Sequence, residues 1–168
     1  MDNVRGFKKV SLEQWKKDTT NLPHLVSSCL EYDEILLPLR ATAFAAGYDF
    51  FSPFEFTLPP GESILVPVGV KTYMCPGEML LIFPRSGLGF KYFARLANTV
   101  GIVDRDYYNS LETEGHIYIK IRNEGSAPLS VQKGKSFAQG IFMNFLLADG
   151  DEFLGAERTG GFGSTDKK

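Results

Sequence analysis

Acids, amides and two arginines gather at four places inside this 168-residue chain. The strongest is Asn98-Thr99-Val100-Gly101-Ile102-Val103-Asp104-Arg105-Asp106-Tyr107, where two carboxylates flank one residue and the first closes an apolar run. A carboxylate beside buried valine and isoleucine tends toward raised proton affinity, which suits a general base. A solvated turn closing a hairpin explains either acid but not the whole string. Asn98 precedes the glycine-containing hairpin, and its amide can both donate to and accept from the edge of a planar base. Pro84-Arg85-Ser86-Gly87-Leu88-Gly89 presents a guanidinium, a hydroxyl and unobstructed N–H groups after a strand, an anion cradle in principle and a surface turn otherwise. Ala45-Ala46-Gly47-Tyr48-Asp49 holds a third carboxylate, and Gly134-Lys135-Ser136-Phe137-Ala138-Gln139-Gly140-Ile141 puts an amide inside an apolar strand, where it needs a partner.

A fifth stretch lies near the C-terminus: Glu157-Arg158-Thr159-Gly160-Gly161-Phe162-Gly163-Ser164-Thr165. So many glycines cost entropy on ordering. Yet the segment carries an arginine for phosphate oxygens, a ring that can stack on a base and two hydroxyls. It reads either as an arm that orders over a ligand with phosphates and a flat ring, or as a frayed tail.

The elements that must position these groups are mostly strands. Strand-length apolar runs recur between turn signals at Ser63–Val70, Glu78–Phe83, His116–Ile121, Leu129–Val131 and Phe137–Phe145. Ile117, Ile119 and Ile121 alternate with Tyr118 and Lys120, as on a strand with one buried face. Pro59-Pro60-Gly61 and Lys133-Gly134-Lys135 predict tight turns. Near the N-terminus, Ser11-Leu12-Glu13-Gln14 fits a capping box, predicting a short helix to about Asp18 that buries Leu12 and Trp15. Between 20 and 40 the prolines leave a loop with one extended piece, Glu34–Leu37. The reading is a single all-β domain, 1–168, a compact barrel or sandwich with a least-patterned 1–40 extension and a flexible arm over 150–168.

Composition narrows the partners. Apolar residues make up 43%, enough for a real core, and the net charge of −2 with a pI near 5.7 disfavours long nucleic acid. Cys29 and Cys75 have no metal-ligand spacing and read as free thiols in a reducing cytoplasm. His24 and His116 are too isolated for a zinc site or a catalytic histidine. No run has membrane-spanning length, so no membrane partner is expected.

In this order the stretches AAGYD, PRSGLG, NTVGIVDRDY, GKSFAQGIF and RTGGFGST resemble the five motifs of the trimeric dUTPase family, over Ala45 to Thr165. The run Asp106-Tyr107-Tyr108-Asn109, the later Glu114-Gly115-His116-Ile117 and the short tail motif look most like the branch of Gram-positive bacteria and their phages. The resemblance implies a jelly-roll-like β-barrel subunit, a homotrimer with shared sites, and hydrolysis of dUTP to dUMP and pyrophosphate, which lowers dUTP and supplies dUMP for thymidylate synthesis. Asp104 matches the carboxylate that activates water for attack on the α-phosphorus. Asp49 matches a residue reaching substrate-borne Mg²⁺ through its water shell. Arg85, Ser86, Gly87 and Gln139 match phosphate contacts. Asn98 with Gly101, Ile102 and Val103 matches the uracil-reading hairpin, too tight for a 5-methyl group. Tyr107 matches the ring that packs on deoxyribose and excludes a 2′-hydroxyl. In the arm, Phe162 matches the ring stacking on uracil, Arg158 the γ-phosphate contact, and Gly161, Gly163, Ser164 and Thr165 the lid around the phosphates.

Three departures stand out. Only Thr159 separates Arg158 from Gly160-Gly161, where the commoner family pattern has two residues. Tyr108-Asn109 replaces the usual Arg-Gly, and extra residues Ser110–Glu114 follow, a tolerated insertion or a contact surface for a regulatory protein. Residues 1–40 precede the family's usual start and have no role there. The related fold of dCTP deaminase is the alternative, but it needs a catalytic glutamate, and none follows the hairpin before Glu112.

Overall fold

Short apolar runs broken by glycine and proline cannot form long helices, and the chain builds twelve strands among its described residues. A computed structural model of the chain describes residues 4–20 and 31–152. In order the strands are β1 (Gly6–Lys9), β2 (Leu39–Arg40), β3 (Tyr48–Phe51), β4 (Phe56–Leu58), β5 (Ser63–Pro67) and β6 (Val70–Tyr73). Then come β7 (Glu78–Pro84), β8 (Ala94–Leu96), β9 (Gly101–Asp104), β10 (Tyr118–Asn123), β11 (Leu129–Val131) and β12 (Ser136–Asn144). Among the described residues the helices are α1 (Leu12–Thr19), α2 (Ser86–Tyr92) and two 3-10 turns. All strand pairs are antiparallel. The largest sheet runs β2-β3-β12-β7-β9, a second runs β5-β10-β8, and β1-β6 and β11-β4 are two-stranded. Together they wrap one apolar core around Phe50, Val66, Leu80, Ile121, Leu129 and Phe137, a jelly-roll-like barrel. No helix among the described residues is long and apolar enough to cross a membrane.

The period-two reading of β10 holds, with Ile117, Ile119 and Ile121 all buried, although the strand itself begins at Tyr118 and runs on to Asn123. The turns at Gly61 (φ 81°) and Gly134 (φ 73°) also fall where predicted. Other expectations need correction. The single strand Ser63–Val70 is two, because Gly69 turns at φ 73° and lets the Ile35 side chain pack where a Cβ would come within 2.6 Å of it. The turn after Pro84 is the start of α2, seven residues long, ended by Phe93 at φ 50°. Of the extended piece expected at Glu34–Leu37, Glu34 instead ends a 3-10 turn, Tyr32–Glu34, and the next strand is β2. Leu12 is 46% exposed, and Gln14 shares the buried face of α1 with Trp15.

Only half of the capping box forms. Ser11 Oγ accepts from Gln14 N–H at 3.0 Å, but the Gln14 amide donates to Asp18 Oδ2 at 2.8 Å instead of returning to Ser11. The Ser11 N–H and hydroxyl turn outward to Glu114 in the insertion, at 2.9 and 2.6 Å. The N-terminal extension is therefore part of the barrel wall. Strand β1 pairs with β6 from Gly6↔Tyr73 to Lys9↔Val70, Arg5 forms an ion pair with Glu78, and Lys17 donates to Glu112 O at 2.9 Å. Cys75 is a free, partly exposed thiol, and Cys29 lies outside the described residues.

Candidate active site

Strand β8 belongs to one sheet and β9 to another, so the hairpin joining them bridges a seam in the barrel. At its tip Val100 N–H donates to Asn98 O at 2.7 Å across a three-residue turn with Thr99 at φ 67°. A β-branched residue there carries backbone strain, which concentrates at functional sites. Gly101 can lie close on β7, since a Cβ would sit 3.2 Å from Ile82 Cβ. Beneath the hairpin is a small pocket of about 70 Å³, open to solvent, between Ile82, Leu96 and Asn98 on one side and Ile117 to Lys120 on the other. Gly101, Ile102, Val103, Asp104 and Tyr107 complete its lining. Its mixed lining, an amide at the rim and an aromatic wall, suits one nucleoside.

Tyr107 is 6% exposed, and its hydroxyl donates to His116 O at 2.7 Å, which fixes the ring as a wall. The apolar enclosure expected around Asp104 is absent. Strand alternation puts Ile102, 62% exposed, on the same outer face as Asp104, and only Val103 between them is buried. Asp104 thus stands exposed at the pocket rim. Tyr118 and Lys120, read from sequence as the solvent face of β10, line the pocket. The alternation that placed the isoleucines inside was the signal for them, had the opposite face been taken as a ligand wall.

A second polar group lies at the other end of β7. Gln139 on β12 pairs across the sheet with Asp49 on β3 and with Phe83 on β7. Arg85 caps α2 and reaches Asp49 through Nε to Oδ1 at 3.3 Å, and its guanidinium also donates to the Ser136 hydroxyl. The Gln139 amide folds over Gly47, where a Cβ would be 2.6 Å from its Oε1. Ser86 and Gly87 open α2, in the first turn, whose N–H groups have no intrahelical acceptor. The half-buried Gln139 amide thus lies beside Gly47 and on the strand position that pairs with Asp49. Among the described residues no three His, Cys, Asp or Glu side chains group to hold a metal.

The two groups are far apart within one chain. Asp104 pairs with Met79 at one end of β7 and Arg85 follows Pro84 at the other. Five residue steps at ~3.3 Å each separate those ends by about 17 Å. The expected arm residues Arg158, Gly161, Phe162, Gly163, Ser164 and Thr165 lie outside the described residues.

A barrel with a pocket at a sheet seam, its rim carrying an amide and a carboxylate, and an Arg-Gln-Asp group whose cation and amide suit phosphate, fits an all-β nucleotide-binding protein. The chain belongs to the dUTPase family, whose sequence profile matches residues 33–165. It is 45% identical over 132 residues to the deoxyuridine 5'-triphosphate nucleotidohydrolase of Lactococcus lactis subsp. lactis, covering 78% of this chain and 88% of that one. The enzyme of the same name from Shewanella halifaxensis is 35% identical over 142 residues, covering 80% and 90%. In three dimensions the chain is similar to the dUTPase from Streptococcus mutans, with a TM-score of 0.67, 39% identity, and 86% and 99% of the two chains covered. The dUTPase of Staphylococcus bacteriophage 80alpha, 17% identical with 93% and 99% covered, shares the fold at a TM-score of 0.63. The family profile begins at residue 33, so β1 and α1 lie ahead of the matched region.

Proposed function

We propose that this chain hydrolyses dUTP to dUMP and pyrophosphate, as a homotrimer in the cytoplasm, in sites that each draw on more than one subunit. The observation that carries the reading is the hairpin pocket, with a base-reading amide and a carboxylate at its rim. Asn98 and the backbone of Gly101 to Val103 hold uracil, and the tight hairpin leaves no space for a methyl on C5. The Tyr107 ring packs on deoxyribose. Asp104 accepts a proton from water as its oxygen bonds to the α-phosphorus, and the bond to the β-phosphate oxygen breaks, releasing pyrophosphate. The Asp104 of one subunit acts on phosphates held by Arg85, Ser86, Gly87 and Gln139 of another, because about 17 Å of β7 is too long a span for one nucleotide to reach both within a chain. Arg158, Phe162 and the glycine and hydroxyl residues of the arm close over the same nucleotide.

A single carboxylate, Asp49, with 14% of its side chain exposed, fits contact with Mg²⁺ through water better than a protein cage. Bound to the triphosphate, the metal would supply charge neutralisation.

Purified protein should release pyrophosphate from dUTP and no ammonia from dCTP; the reverse pattern would make it a deaminase. Asp104→Asn keeps the shape and removes the base. It should lower kcat by roughly 10²–10⁴-fold while a non-hydrolysable dUTP analogue binds within about threefold of the parent. Turnover equal to the parent would refute the assignment.

A further inference from the structure

The extension that the sequence left without a role reaches the back of the nucleoside pocket. Asp18, in the last turn of α1, has a side chain only 10% exposed. Its carboxylate receives the Gln14 amide at 2.8 Å, lies 2.6 Å from His116 Nδ1 and is also bonded to the Tyr118 hydroxyl. Burial alone would raise its proton affinity, but the bonds from His116, Gln14 and Tyr118 outweigh that and hold it below the usual carboxylate range.

His116 is fully buried and bonded on three sides. Gly69 N–H donates to Nε2 at 2.8 Å, so Nε2 bears the lone pair and the ring proton sits on Nδ1, toward Asp18. The carbonyl of the same residue accepts the Tyr107 hydroxyl. The imidazole also packs on Tyr118, with ring centroids 4.6 Å apart, and on Trp15 at 5.9 Å. Thus one carboxylate on α1 connects to both aromatic residues that line the pocket, Tyr118 directly and Tyr107 through His116. The loop between them is tied to the same helix. Glu114 grips Ser11, and Gly115, at φ 79°, leaves no room for a Cβ because Tyr107 O would lie 2.5 Å away.

We propose that Asp18 is a positioning residue for the nucleoside pocket: through His116 and Tyr118 it sets the Tyr107 ring against the sugar, and so sets discrimination between deoxyribo- and ribonucleotides. This rests on reading the pocket as the nucleoside site. A simple staple for α1 would need Asp18 and His116 but not the link from the His116 carbonyl to the pocket wall. Displacing the ring by a fraction of an ångström would admit a 2′-hydroxyl and loosen the fit to deoxyribose.

The test compares full-length Asp18→Ala and Asp18→Asn with the parent, measuring kcat and KM for dUTP and UTP. The single tryptophan, Trp15, 2% exposed on α1, reports by its emission whether the helix stays docked. For Asp18→Ala we expect KM for dUTP to rise, the dUTP-to-UTP ratio of kcat/KM to fall by at least about fivefold, and kcat to stay within about threefold. Asp18→Asn keeps one acceptor for the imidazole and should fall between. A ratio and KM within about twofold of the parent would overturn the proposal, whatever happens to melting temperature or Trp15 emission. So would a loss of kcat at unchanged KM and ratio. If the alanine variant does not fold, the isosteric asparagine variant decides by the same criteria. A parent enzyme that does not turn over dUTP would refute the pocket reading instead.

Discussion

The hairpin pocket and the Asp49-Arg85-Gln139 group occupy opposite ends of one strand, and they are built differently. The pocket lies between two sheets, and its wall is braced from behind by His116, Asp18 and the N-terminal helix. The Asp49-Arg85-Gln139 group lies on one sheet, with 42% of the Arg85 side chain exposed. On the proposed reading, the pocket walls come from one chain, while the second group completes its site only beside another subunit. Shape recognition of a base needs rigid walls all round, which one barrel can supply. Gripping a triphosphate while water attacks needs charges from several directions, and assembly can supply those.

The sharpest way to break this contrast is subunit mixing. Homotrimers of Asp104→Asn and of Arg85→Ala should each be nearly inactive. If the two regions act across subunits, unfolding and refolding the variants together at equal concentration restores intact sites. Random pairing makes roughly a quarter of the sites whole, and pyrophosphate release measures that fraction. Recovery indistinguishable from the sum of the two homotrimers would mean that both groups serve a nucleotide within one chain.

A smaller effect probes the pocket alone. In Gly101→Ala the new Cβ would meet Ile82 Cβ at 3.2 Å, forcing the hairpin away from β7. We expect KM for dUTP to rise roughly threefold to tenfold, with a stability loss of about 1–2 kcal/mol. An unchanged KM with the same stability loss would show that the hairpin does not read the base.

The all-β frame and the hairpin were legible because period-two alternation and glycine turns are local signals, and Asp49, Arg85 and Gln139 were picked out by short polar strings that the fold brings onto one sheet end. The bracing was not. His116 was read as an isolated histidine, since its partners Asp18 and Gly69 are 98 and 47 residues away and the β1–β6 and β5–β10 pairings together bring them to it. The capping box misled for a related reason: Glu114, distant in sequence, competes better for Ser11 than Gln14 does. Likewise Asp104 next to valine and isoleucine looked buried, but alternation along β9 turned it outward with Ile102.

The least costly perturbation separates the extension from the barrel by pH. Asp18, Glu78 and Glu114 all have proton affinities held below the usual range, and all three lie on the seam between them. For Glu78 the cause is the Arg5 guanidinium; for Glu114, burial opposes but the bonds from Ser11 and Lys71 outweigh it. A carboxyl with depressed folded affinity stabilises fully above its unfolded value, ~3.9 for Asp and ~4.3 for Glu, and loses that contribution as pH falls below it. Acidification from about pH 5 to pH 3 should therefore red-shift Trp15 emission before the β-sheet circular dichroism changes. Coincident transitions would mean that the extension and the barrel unfold as one unit, and the brace behind the pocket would then be as stable as the core it supports.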